Sequence, residues 1–190
     1  MTEAFVYNPK IKEVAADILQ IPFINKKYAE FILFCCQEKN TWAPWKGDRK
    51  FSTYDIHLNK EMPEIFTPIN EHLENTIFPI VCNWWGIEPI EVHDLFALRY
   101  TTDTQKYLNL HHDDSFVSGS VKLNDNYVGG TLEFPRQKFK NKDVPVGELL
   151  LWPGQITHPH ESISLQEGEK YSLTIWTREC KFYENTGKLT

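Results

Sequence analysis

From about residue 92 the chain breaks into short runs, HDLFALRY, SFVSGSVKL, GGTLEF, GELLLWPG and KYSLTIWT, a texture that narrows the fold more than any other feature. Val117, Val121 and Leu123, then Leu132 and Phe134, recur with the period of two that a half-buried strand needs. Asn124-Asp125-Asn126 and Gly129-Gly130 punctuate these runs as turns. The first ninety residues read differently. Asn8-Pro9 has the form of a cap and first position for a helix carrying Ile11, Val14, Ala15, Ile18 and Leu19, stopped by Pro22. Asn25 is placed to cap a second helix with Tyr28, Phe31, Ile32 and Cys35 on one face. A third starts near Pro63 or Pro68 and carries Ile65, Ile69, Leu73, Ile77 and Ile80, with Pro79 disturbing its end. Between them lie the loop TWAPWKGDRK and a short strand over 51–58. The expectation is a single α+β domain over 1–190. Residues 1–91 form mainly helical support, 92–178 an antiparallel sandwich or barrel that carries the site, and 179–190 a polar tail.

A length of 190 residues with 41% hydrophobic and 24% charged content suits one globular domain rather than a disordered chain. The net charge of −6 argues against a nucleic-acid partner, whose phosphates call for clustered Lys and Arg. No apolar run is long enough to span a membrane, and MTEAFVYNPKIKEV places Pro and charges where a secretory signal needs an apolar stretch. Neither secretion nor membrane insertion is expected. Cys35, Cys36, Cys82 and Cys180 include no CxxC pair, and adjacent cysteines fit disulfide geometry poorly, so four reduced thiols and a cytoplasmic setting are expected.

Chemistry concentrates in two clusters, His111-His112-Asp113-Asp114 and His158-Pro159-His160-Glu161. On an extended strand, residues i and i+2 share a face, so His111 and Asp113 can present an imidazole and a carboxylate to one ion. His112 and Asp114 then face away. A third ligand from the second cluster gives two His and one carboxylate on one side of a metal, the arrangement favoured by non-haem Fe(II). Spacing alone leaves His158 and His160 both open as that ligand.

The ordered set ALRYTTDTQKYLNLHHDDS, GGTLEF, LLLWPGQITHPHES and EKYSLTIW resembles the Fe(II)- and 2-oxoglutarate-dependent dioxygenases. Within them it is most similar to the catalytic domains of procollagen lysyl hydroxylases and prolyl 4-hydroxylases. The resemblance implies a double-stranded β-helix, a jelly-roll core of the cupin-like kind. It also implies iron held by His111, Asp113 and His160, with 2-oxoglutarate and O2 as co-substrates and ascorbate as a candidate reductant. It assigns Lys170, ten residues beyond His160, to the distal carboxylate of 2-oxoglutarate, with Tyr100 and Ser172 assisting. Lys170, Ser172, Thr174 and Trp176 share one strand face, as do Phe96, Leu98 and Tyr100. A lysine inside a barrel calls for an anionic partner in any case. Lys170 is the prolyl 4-hydroxylase choice where lysyl hydroxylases carry Arg, and the two cations grip a carboxylate differently. Asp114 stands where lysyl hydroxylases have a small residue. The implied reaction is hydroxylation of a peptidyl prolyl or lysyl C–H, with 2-oxoglutarate converted to succinate and CO2. Asp113 argues against a halogenase, which vacates that position.

Two other readings compete. A nucleic-acid dealkylating dioxygenase shares the iron chemistry but carries an Arg pair where this chain has Lys170, Ser172 and Trp176. A cupin-like metal protein without oxygenase activity leaves Lys170 and Tyr100 without a task. Weaker signals are Arg136, Lys138, Lys140 and Lys142, a solvated loop or a basic surface for an acidic partner, and TWAPW, an aromatic lid or core packing. Trp84, Trp85 and Trp152 read as packing, and His57, His72 and His93 receive no role.

Overall fold

The computed structural model describes residues 4–44 and 52–180. The elements run β1 (Lys12–Ala15), β2 (Ile18–Pro22), α1 (Lys26–Lys39), β3 (Ala43–Pro44), β4 (Tyr54–His57), α2 (Leu58–Glu61), α3 (Pro63–His72) and α4 (Phe78–Trp85). Then follow β5 (Ile90–Thr101), β6 (Leu108–His111), β7 (Val117–Lys122), β8 (Val128–Gly129), β9 (Leu132–Phe134) and β10 (Phe139–Lys140). The chain closes with β11 (Glu148–Pro153), β12 (His160–Ser162), β13 (Leu165–Glu167) and β14 (Glu169–Glu179). One large sheet has the order β1-β2-β11-β7-β14-β5-β4-β3, and a smaller one the order β10-β9-β12-β6. Every pairing between these strands is antiparallel, which matches the expected α+β jelly roll.

Alternation along β14 shows how the large sheet is used. Leu173 and Ile175 are fully buried in the main core together with Ile32, Ile69, Leu73 and Ile77 from the helical segments. Their neighbours Ser172, Thr174 and Trp176 line a cavity on the opposite face. Burying one face under helices leaves the other free to carry function.

The helices form where local chemistry dictates them. The Asn25 side chain accepts from the Tyr28 N–H at the start of α1, which ends at Asn40 in the left-handed region, and Ala29, Ile32 and Cys36 form its buried face. Between α3 and α4 the helix widens into a π turn over Leu73–Ile77, where the Phe78 N–H reaches back to Leu73 O. Pro79 follows immediately and has no N–H to continue the α ladder.

The first expected helix is not a helix. Residues 12–22 form the β1–β2 hairpin, turning through Asp17 at φ 54°, and β2 pairs along β11. Leu19 pairs with Leu151 and Ile21 with Leu149, so a tertiary ladder outweighs a spacing that fits either period. Among the described residues, the helical support of 1–91 is thus confined to 26–39 and 58–85, while β1 to β4 extend the large sheet. The 51–58 strand is observed as Tyr54–His57, with Leu58 starting α2. Phe51, Trp45 and the rest of the TWAPWKGDRK loop beyond Pro44 lie outside the described residues, as does the tail from Lys181. Cys35, Cys36, Cys82 and Cys180 are free thiols, and burial pushes Cys36 up to about 12. No helix among the described residues is long and apolar enough to cross a membrane.

Candidate functional site: a cavity with a metal-ligand end and a lysine end

The two sheets enclose a cavity of about 570 Å³ that both histidine clusters and Lys170 border. His111 is the last residue of β6 and pairs directly with His160, the first residue of β12. Asp113 lies just beyond the strand rather than on it, and its N–H donates to Gly154 O at 2.9 Å. A Cβ on Gly154 would sit 2.2 Å from Ser115 O, so the approach that sets the Asp113 loop depends on the missing side chain. Gly130 serves the other end: it has φ +61°, and an added Cβ would meet the Lys170 Cδ at 3.1 Å.

One ligand atom from each of His111, Asp113 and His160 lies within 4.8 Å of the others. The Asp113 oxygens stand 3.5 Å from His111 Nε2 and 3.5 Å from His160 Nε2. The Nδ1–H of His111 donates to Asn109 O at 2.7 Å and that of His160 to His158 O at 3.0 Å. Both imidazoles therefore turn Nε2 toward the carboxylate, the tautomer a metal ligand requires. Phe134 and Trp152 pack against the His160 ring and fix its plane. Burial raises the Asp113 carboxyl, but His160 and His111 outweigh burial and hold it below the ordinary carboxylate range. Burial lowers His111, yet Asp113 more than compensates and leaves it raised; burial prevails at His160 and holds it low. Among the described residues, buried Asp113 Oδ2, Trp152 Nε1 and Trp176 Nε1 have no hydrogen-bond partner. Orphaned polar atoms beside one cavity signal a polar occupant. The donor set, its preset tautomers and its orphaned carboxylate oxygen fit a divalent cation.

His158 is excluded from this group by its own bonds. Its Nε2–H donates to Ala16 O at 3.0 Å and Nδ1 meets the Thr157 hydroxyl at 2.9 Å, so it anchors the β1–β2 turn. His112 and Asp114 are exposed but, contrary to the expectation that they face away, both border the cavity mouth, because β6 ends at His111 and strand alternation does not continue through 112–114.

At the cavity's other end Lys170 is 5% exposed, its Nζ donates to Ser162 Oγ at 2.8 Å, and it lies 4.5 Å from the Tyr100 ring centroid. Lys170 and Tyr100 are register partners on β14 and β5, and Ser172 lies two residues along the same face. Burial pushes the Lys170 ammonium down to about 7, with Lys122 adding to the effect. Burial also raises the Tyr100 hydroxyl, keeping it protonated and able to donate. An ammonium in this setting, with no ion pair among the described residues, awaits an anion.

Three features escaped the sequence. Ser162 stands two residues after His160 on one strand, so the same period-two rule could have found it. Lys122, in a run read for its valines, also borders the cavity. Asp55, His57 and Asp94 line the cavity too: His57 Nδ1 stands 2.9 Å from Asp94 Oδ2 and its Nε2 3.6 Å from Asp55. Nothing in their spacing links residues brought together by β4–β5 pairing. Burial raises the Asp55 carboxyl. Trp152 packs as expected but also borders the cavity, whereas Trp84 is 49% exposed and does not pack. Trp42 packs against Tyr171 with the rings tilted by 53° and their centroids 5.6 Å apart. The basic loop is partly occupied: Lys140 pairs with Glu133 at 2.8 Å, and Arg136 donates to Ile156 O and Thr157 O.

Comparison with known proteins agrees with this geometry. The chain is 37% identical over 186 residues to the multifunctional procollagen lysine hydroxylase and glycosyltransferase LH3 of Rattus norvegicus, covering 86% of this chain and 24% of that protein. It is 23% identical over 180 residues to the corresponding Caenorhabditis elegans enzyme, again covering 86% and 24%. The viral collagen prolyl hydroxylase of Paramecium Bursaria Chlorella virus-1, solved with 2-oxoglutarate, superposes with TM-score 0.66 at 15% identity, over 88% of this chain and 100% of that one. In sequence the chain is similar to the procollagen lysine hydroxylases, and in fold to the prolyl hydroxylases. A Pseudomonas putida prolyl-4-hydroxylase superposes likewise, with TM-score 0.65 at 16% identity over 87% of this chain and 94% of that one. The chain spans about a quarter of the length of the curated relatives it matches. No family model matches it.

Proposed function

We propose that the protein is an Fe(II)- and 2-oxoglutarate-dependent dioxygenase that hydroxylates an aliphatic C–H of a peptidyl lysyl or prolyl side chain, yielding succinate and CO2. The observation that carries this is the convergence of His111, Asp113 and His160 within 4.8 Å, in the same cavity as the buried Lys170. His111, Asp113 and His160 would hold the metal from one side, leaving the cavity side open. Lys170 would pair with the distal carboxylate of 2-oxoglutarate, Tyr100 would donate its hydroxyl there, and Ser172 would assist. The iron and the keto acid, when bound, supply the oxygen-activating chemistry. The chain supplies position: backbone carbonyls fix the imidazoles, and Phe96 and Trp176, packed edge to face with centroids 5.3 Å apart, wall the cavity against water.

Names of the relatives support a lysyl side chain, and so does the wall formed by Asp55 and Asp94, which receives an ammonium better than an uncharged pyrrolidine. The net charge of −6 and the lysine at position 170 speak against the nucleic-acid dealkylating alternative. Succinate release from Fe(II)-loaded protein, measured over matched lysyl and prolyl peptides and methylated oligonucleotides, tests the reading. Peptide-stimulated succinate with a mass gain of one oxygen on the peptide is expected. Stimulation by the oligonucleotides alone would overturn the substrate class.

A further inference from the structure

Lys170 does not stand alone. On β7, Lys122 is the direct register partner of Ser172, and Lys170 lies two residues from Ser172 on the same face of β14. Lys122 and Lys170 are therefore diagonal neighbours, roughly 7–8 Å apart at the backbone and within reach of each other's long side chains. Both border the cavity, and Lys122 is 8% exposed. Its ammonium donates to Asn141 O and Lys142 O, each at 3.2 Å. An ammonium has three N–H groups, so one remains for the cavity. Asn141 is itself pinned, its Oδ1 accepting from the Leu132 N–H at 2.9 Å, so the floor that holds Lys122 is rigid. Asp125 and Asp143 bear on Lys122 electrostatically, yet neither lysine forms an ion pair among the described residues.

Two buried like charges side by side destabilise the empty protein, since their repulsion adds to the desolvation of each. A carboxylate between them converts that repulsion into two attractions. It also meets a geometric need. Arginine grips both oxygens of a carboxylate with one planar fork, whereas lysine is a point charge that satisfies one direction.

We propose that Lys122 is a second carboxylate-binding cation of the cavity, so that Lys122 and Lys170 together grip the two oxygens at the distal end of a keto-diacid. This rests on the placement of 2-oxoglutarate against Lys170 given above, and extends it to a selectivity determinant. Lys122 holds one oxygen and Lys170 the other, and the pair selects a terminal carboxylate over an apolar or uncharged terminus.

Equilibrium binding to the protein loaded with Mn(II), anaerobically and at a pH just below 7 where Lys170 keeps its proton, tests it without turnover. The probes are 2-oxoglutarate and 2-oxopentanoate, which carries a methyl group in place of the distal carboxylate. Lys122→Met is expected to weaken 2-oxoglutarate roughly tenfold and to leave 2-oxopentanoate within about twofold. Lys122→Arg is expected to recover most of the loss. Lys122→Gln, which keeps a donor for the Asn141 and Lys142 carbonyls, separates charge from support of the floor and should behave like the Met variant. An unchanged ratio between the two ligands in Lys122→Met and Lys122→Gln, whether neither or both weaken, overturns the proposal while the Lys170 site stands. Wild-type protein that does not prefer 2-oxoglutarate, or a Lys170→Met variant that keeps the preference, overturns the Lys170 site and this proposal with it.

Discussion

The two ends of the cavity are electrostatic opposites, and each is incomplete in the opposite sense. At one end two imidazoles and a carboxylate converge, with a buried Asp113 oxygen that accepts no hydrogen bond. At the other a buried ammonium lies beside a second lysine. The first calls for a cation and the second for an anion. Their surroundings also differ. The ligand end is built on the smaller sheet, from the paired ends of β6 and β12 and the Asp113 loop closed by Gly154, whereas the lysine end is built on the large sheet, where β14, β5 and β7 pair side by side.

Removing a ligand at the first end should have the largest effect. His160→Ala is expected to lower Fe(II) affinity a hundredfold or more and to reduce succinate formation to background, as measured by metal analysis and product assay. His158→Ala should leave metal affinity intact, which would separate two histidines that the sequence could not. Metal affinity should also fall as the pH drops through the imidazole range, because the ion competes with protons for His111 and His160.

Lys170→Met should come next, weakening 2-oxoglutarate roughly ten- to a hundredfold with Fe(II) affinity unchanged. The metal-free protein should respond in the opposite direction and gain thermal stability, since a buried lysine is replaced by an apolar chain of similar length. The pH dependence has a definite sign. Folding lowers the Lys170 ammonium to about 7, so above that pH the unfolded chain holds more protons than the folded one. Stability of the empty protein should therefore rise from about 7 toward the ordinary lysine range, and Lys170→Met should flatten that rise. Affinity for 2-oxoglutarate should fall over the same interval, as the ammonium it needs is lost.

Gly154→Ala should act through position alone. Its Cβ meets Ser115 O at 2.2 Å, so the Asp113 loop must shift, with an expected stability loss of about 1–3 kcal/mol and weaker metal binding. The smallest effect belongs to His158→Ala, which breaks the bond to Ala16 O and should cost about 1–2 kcal/mol in denaturant melts.

The sequence made the strands after residue 92 legible because their alternation has a physical target: Leu173 and Ile175 face the helices, Ser172, Thr174 and Trp176 the cavity. α1 was legible from the Asn25 cap. The β1–β2 hairpin was not, because Ile11, Val14, Ala15, Ile18 and Leu19 fit a helical face as well as a strand, and the open edge of β11 decided between them. The ligand end was readable as local pairs of histidine and acid, though only folding separated His160 from His158. Lys122 and the Asp55–His57–Asp94 group were not readable, since their partners are set by pairing between strands distant in sequence.

Complementary ends of one cavity should fill together. Anaerobic titration of the metal-free protein with Fe(II) and then 2-oxoglutarate, followed by visible absorption, tests this directly. A weak charge-transfer band that needs both additions, is lost in His160→Ala and demands much more 2-oxoglutarate in Lys170→Met is the expected result. Protein that binds Fe(II) stoichiometrically yet shows no band at any 2-oxoglutarate concentration would contradict it.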